Sequence, residues 1–139
     1  MGTWGITSFE NDDAMDFVGD IIDQGLNPHF DVLERVANAP LDQYIEAPDC
    51  QVAIASAEMI AASCSHASSQ IPEELRQWLS VFDMKIDKTL VNKALHAVRR
   101  IASSSELLDL WKENESEFKN WKASLEDLQQ RLKLCDKAA

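Results

Sequence analysis

The sequence predicts an all-α protein, an irregular or orthogonal bundle of six to seven helices around a central apolar helix at about residues 49–65. Three observations lead there. Apolar residues recur at i, i+3, i+4 and i+7 in one window after another, the spacing that gathers them on one helix face. No window alternates apolar and polar residues as a half-buried strand does, and no repeat of fixed period is visible. The segment from Asp49 to Ser65 carries Val52, Ile54, Met59, Ile60 and a series of alanines, with Glu58 as the one charge inside it. A helix that is apolar or small on all sides belongs among other helices, and its alanines let neighbours approach closely.

The chain opens with an aromatic arm, residues 1–10, expected to pack on the bundle. Gly2 and Gly5 flank Thr3 and Trp4, and glycine's backbone freedom lets the indole turn back, so Trp4 and Phe9 read as plugs. Asn11 is a good N-cap, and Asp12 and Asp13 then fall in the first turn, at the positive end of the helix dipole. Ala14, Phe17, Val18, Ile21 and Ile22 share the buried face. Asp12, Asp16, Asp20 and Asp23 lie on the opposite one. The run W-G-I-T-S-F-E-N-D-D-A-M-D-F-V at residues 4–18 resembles the opening of a bacterial domain-of-unknown-function family, DUF4259, typically W-G-x-G-x-F-[DE]-N-D-x-A-x-[DE]-[WF]. The later S-x-E-L-x-x-L-W, Ser104 to Trp111, is similar to the same family, and Thr7 stands where the family's second glycine usually does. The resemblance implies a compact bacterial helical domain and brings no catalytic residue with it.

Asn27-Pro28 predicts the next helix start, with asparagine as cap and proline at the first helical position. That helix runs to about Ala39, buries Phe30, Leu33 and Val36 or Ala37, and is ended by Pro40. After a turn between Leu41 and Ala47, Pro48 begins the central helix. Residues 65–70 form a polar loop, and Pro72 starts a helix burying Leu75, Trp78, Leu79 and Phe82. Asp87 caps the next, whose face is Leu90, Val91, Ala94, Leu95, Val98 and Ile101, with Lys88, Lys93, Arg99 and Arg100 mainly elsewhere. Ser103 to Ser105 interrupt and recap, Leu107, Leu108 and Trp111 make a short helix, and Asn114 to Ser116 mark a break. The last helix sets Phe118, Trp121, Leu125, Leu128, Leu132 and Cys135 at alternating spacings of three and four, a narrow packing seam that would also suit a homodimer.

Length and composition fit one helical domain, 1–139, with enough apolar chain for a core. No basic leader and no membrane-length apolar run is present, so the expected location is the cytoplasm. Cys50, Cys64 and Cys135 are odd in number, far apart and free of any C-x-x-C, which favours reduced, mostly buried thiols. Charge is more informative. Residues 1–70 hold twelve acids and one base, Arg35, while residues 71–139 hold twelve of each, so the whole net charge of −11 belongs to the first half. That balance disfavours nucleic acid and anionic membranes and favours a cationic partner.

Catalytic signatures are missing: no glycine-rich phosphate loop, G-x-S-x-G, H-E-x-x-H or E-x-x-H pair, and no cofactor motif. His29, His66 and His96 stand apart, and two positions on a helix would point Cys64 and His66 to nearly opposite sides. Candidate binding residues are therefore the acids Glu10, Asp12, Asp13, Asp16, Asp20 and Asp23, with Trp4, Phe9, Asn11 and Trp111 as structural members of the motifs. Three readings of the acidic face stay open: a solvated face neutralised by Arg99 or Arg100, a surface for a basic protein, and a divalent-cation site. One rigid helix converges its carboxylates poorly on a calcium ion, which wants a looped cage of oxygens. The function expected is a non-enzymatic binding, immunity-type or regulatory module with an anionic surface. The alternative is a hydrolase or metal-dependent enzyme whose carboxylates and His29 meet only in three dimensions.

Overall fold

Asn11 begins the first helix as its sequence suggests. Its Oδ1 accepts the Ala14 amide at 2.7 Å, and α1 runs Asp12–Gln24. The structure, a computed structural model, describes residues 5–24, 30–82 and 84–138. Six more helices follow in order, with α2 at Asp31–Ala37, α3 at Ala47–Ser63, α4 at Glu73–Val81, α5 at Lys88–Ser103, α6 at Glu106–Lys112 and α7 at Glu115–Ala138, making seven helices and no strand among the described residues. The all-α prediction holds.

The central helix is where its composition puts it. From Ala53 to Ala61 every residue of α3 is buried, and the helix packs against α1, α2, α5, α6 and α7. Ala53, Ala57 and Ala61 have no exposure at all, because their missing side-chain volume is what admits the neighbouring helices. Two apolar clusters flank it. The larger joins Leu33 and Val36 of α2, Val91, Val98 and Ile101 of α5, and Trp121, Leu125, Leu128 and Leu132 of α7. The smaller joins Phe9 with Ala14, Val18 and Ile21 of α1, Met59 of α3, Leu75 of α4 and Ile71 just ahead of it. The seam of α7 is thus covered within the chain.

Several boundaries and faces differ from the sequence reading. Helix α2 starts at Asp31, after Phe30, three residues beyond the proline expected to open it; Asn27, Pro28 and His29 lie outside the described residues, as does Trp4. Trp78, Leu79 and Phe82 are half-buried, and Phe82, extended at the end of α4, stacks on Trp78 with ring centroids 4.5 Å apart. Arg100 is not on an outer face: it is 7% exposed, and its Nη2 donates to Gln43 O at 2.5 Å and Leu41 O at 3.4 Å. The buried face of α5 keeps its helical spacing, but the loop of residues 38–46 lies over α5 and draws the guanidinium under it to satisfy two carbonyls.

Caps elsewhere match. Asp87 Oδ1 accepts Leu90 N at 2.8 Å, and Ser105 Oγ accepts Leu108 N at 3.0 Å while donating to Ile101 O at 2.8 Å. The polar loop after α3 turns on Ser65, whose φ of 70° lies in the left-handed region, and His66 N donates back to Ala61 O at 2.9 Å.

Candidate functional site

The expected acidic face is present on α1. Asp12, Asp13, Asp16, Asp20 and Asp23 are exposed, while Ala14, Val18 and Ile21 are buried beneath against α3 and α4. Asp12 has a partner within the chain. Asp16, Asp20 and Asp23 form no ion pair or hydrogen bond with other described residues. Arg99 is exposed on α5 and Arg100 is held by loop carbonyls, so neither neutralises the stripe. Glu10 stands apart from the group. It is half-buried, accepting the Thr7 hydroxyl at 2.5 Å and the Thr7 amide at 3.4 Å.

That turn explains Gly5 differently from the sequence argument. A side chain at Gly5 would bring its Cβ within 2.2 Å of the Glu10 carboxylate, so the glycine makes room for a returning carboxylate. Thr7 supplies the hydroxyl that holds it. Phe9 is 4% exposed and acts as the expected plug. Asn11 does more than cap: its Nδ2 donates to Ser8 O at 3.2 Å and to Gln51 Oε1 at 3.1 Å, fastening the arm to the central helix. Trp111, half-buried, stacks near Trp121 with centroids 6.3 Å apart, and with the Gly5–Ser8 segment it lines a small pocket of about 10 Å³. The two separated motif segments therefore meet in space.

A second polar constellation was not expected. Glu58, the single charge inside α3, is 3% exposed and is gripped by Arg131 of α7 through two bonds, Nη1 to Oε1 at 2.6 Å and Nη2 to Oε2 at 3.1 Å. Ser8 Oγ donates to the same Oε2 at 2.6 Å. Arg131 also donates from Nε to Asp127 at 2.8 Å and from Nη1 to His66 O at 3.2 Å. Burial works against the guanidinium's charge, but the bonds to Glu58 and Asp127 outweigh it and hold Arg131 above its ordinary value. Over the pair opens a cleft of mixed lining, about 350 Å³, between Ile6, Thr7 and Ser8, residues 68–70, and Asn120, Ala123, Ser124 and Asp127 of α7.

Four of the guanidinium's five N–H groups and both Glu58 oxygens are engaged, so this is a clamp joining the arm, α3 and α7. His66 gives the cluster its main-chain oxygen, and His96 is exposed on α5. No set of three or more His, Cys, Asp or Glu among the described residues is placed to hold a metal ion. The sequence carried one signal for the clamp, since a carboxylate in an otherwise uncharged buried helix requires a cation.

The thiols show a further juxtaposition. All three cysteines are free; Cys50 and Cys135 are buried and Cys64 is half-buried at the end of α3. Burial pushes Cys50 up to about 11. Burial, followed by a side-chain hydrogen bond with Cys64, pushes Cys135 up to about 12. No described helix is long and apolar enough to cross a membrane.

Comparison with known proteins places the chain. The family model described as "Domain of unknown function (DUF4259)" matches residues 2–124, and the chain belongs to that family. No curated protein and no solved structure matches it.

Proposed function

We propose that this member of the DUF4259 family is a non-enzymatic binding module whose α1 face receives a basic protein surface, in an immunity-type or regulatory role. One observation carries the reading. Asp16, Asp20 and Asp23 form a rigid exposed row without a cation from the described residues, whereas Glu58, Glu34 and Asp49 are each paired internally, with Arg131, Lys93 and Arg35. Like charges one turn apart on a helix cost roughly 0.2–0.5 kcal/mol per pair, a cost that a cationic partner removes. Such a surface acts mainly on encounter rate and partner discrimination.

The test is the double substitution Asp16→Lys with Asp20→Lys. Its melting temperature stays level or rises, because the helix loses like-charge neighbours. Immobilised wild-type protein captures a basic protein from lysate, more at low salt than at high, since screening acts over about 10 Å at 0.1 M salt. The double variant loses that protein. An identical set captured by both forms at low salt would sink the proposal, and a fall in melting temperature would show the two carboxylates to be structural.

A further inference from the structure

Cys64 and Cys135 are 71 positions apart in the chain and side by side in the fold. Their juxtaposition follows from the clamp. Arg131 reaches Glu58 on one side and the carbonyl of His66 on the other, which fixes the turn of α7 around Arg131 against the last turn of α3. Cys135 is one helical turn beyond Arg131, and Cys64 is two residues before His66, whose carbonyl Arg131 holds. Both also belong to the packing of the larger apolar cluster, where Cys135 is 1% exposed and Cys64 is half-buried at its edge. Cys50, by contrast, has no exposure and its thiol donates to Ile45 O at 3.7 Å.

We propose that Cys64 and Cys135 are a redox modification site, closing to a reversible disulfide by exchange with a low-molecular-weight disulfide. The order of steps follows from burial. Cys64, the less buried of the two residues, loses its proton and attacks one sulfur of the small disulfide. The S–S bond breaks, its electron pair leaves with the other sulfur, and that sulfur takes up the proton as a free thiol. Cys135 then attacks the Cys64 sulfur of the mixed disulfide and expels the second small thiol, its own proton passing to the leaving sulfur. Two protein thiols and one small disulfide thus become one protein disulfide and two small thiols. Burial, with Cys135 pushed up to about 12, keeps that thiol from reacting first. The bond would join the ends of α3 and α7 beside the Glu58–Arg131 clamp, and would anchor the start of the 65–70 segment that walls the cleft.

The experiment uses the full chain, reduced and desalted, with oxidised glutathione as the probe. Intact mass falls by about 2 Da, the two hydrogens lost on oxidation, and peptide mapping joins Cys64 to Cys135 with Cys50 still free. Dithiothreitol reverses the change. Cys135→Ser stops at a glutathione adduct on Cys64, and Cys64→Ser does not react. The oxidised form melts higher than the reduced one by several degrees, about 5 °C, because the cross-link closes a long loop. Three free thiols after treatment, a lasting adduct on the wild type, a link through Cys50, or an oxidised form melting below the reduced one would each overturn the proposal.

Discussion

Replacing Arg131 by methionine removes the cation facing Glu58 while keeping an unbranched stem to fill most of its space. Glu58's side chain is 4% exposed and Arg131's is 14%, so water can replace little of what the carboxylate loses. Breaking a buried ion pair from one side costs about 3–5 kcal/mol, because the remaining charge stays desolvated. The bond to Asp127 adds little, since that side chain is 67% exposed and surface pairs contribute about 0–1 kcal/mol. We therefore expect Arg131→Met to lower unfolding free energy by about 3–4 kcal/mol, a large share of the 5–15 kcal/mol typical of a domain. Urea unfolding at neutral pH measures it. The decisive comparison adds Glu58→Met and the double variant. With both charges gone, Ser8 is the main group left to rehydrate, and methionines on α3 and α7 can pack against each other. The double variant should then lose less than the sum of the singles, with a coupling energy of at least about 2 kcal/mol. Additive losses, or an Arg131→Met cost under about 1 kcal/mol, would show that the clamp is held by packing alone and that its charges are incidental.

Three further outcomes are expected. Asn11→Ala removes the α1 cap and the Nδ2 donor to Gln51 Oε1, and urea curves should show a loss of about 1–2 kcal/mol; no loss would detach Asn11 from stability. Ala57→Leu forces three extra carbons into a fully buried contact of α3 and should cost about 1–3 kcal/mol; a stabilised variant would mean a void beside position 57. Folding favours the protonated Cys50 thiol, whose value rises from 9.0 to about 11. The stability it contributes is complete below pH 9 and is lost as pH climbs toward 11. Wild type should accordingly melt at falling temperatures across that window more steeply than Cys50→Ala, and equal slopes would refute the assignment.

What could be read from the chain was what repeats locally. The 3.6-residue spacing of Val91, Ala94, Leu95, Val98 and Ile101 sets the buried face of α5 without knowledge of any neighbour, and the absence of charge around Ala57 places α3 in the middle. Caps at Asn11, Asp87 and Ser105 were equally legible, because each is satisfied by an amide three residues on. The start of α2 misled because asparagine followed by proline is a good local start, and local preference does not decide where tertiary packing lets a short helix begin. Arg100 misled for the complementary reason. Its burial is caused by the carbonyls of Leu41 and Gln43, nearly sixty residues earlier, and no helical pattern encodes them.

The clamp and the thiol pair share that limit, and they also show how far it can be moved. Glu58 announces itself as the one charge in a buried stretch, so a cation had to face it, yet twelve bases in the second half could have answered. Pattern narrows the choice. On α7 the buried seam is Trp121, Leu125, Leu128, Leu132 and Cys135, and Arg131 sits three residues after Leu128 and four before Cys135, on the edge of the seam. Lys122, four residues before Glu126 and one after Trp121, also borders the seam, but its ammonium donates to Ala102 O at 2.9 Å. A lysine presents one compact charge, whereas the planar guanidinium can take both Glu58 oxygens while its Nε and remaining Nη1 hydrogen reach Asp127 and His66 O. A buried carboxylate with a hydroxyl already on one oxygen calls for that fork. Once Arg131 is paired with Glu58, the register of α7 on α3 is fixed, and Cys135 is carried to Cys64 as a consequence.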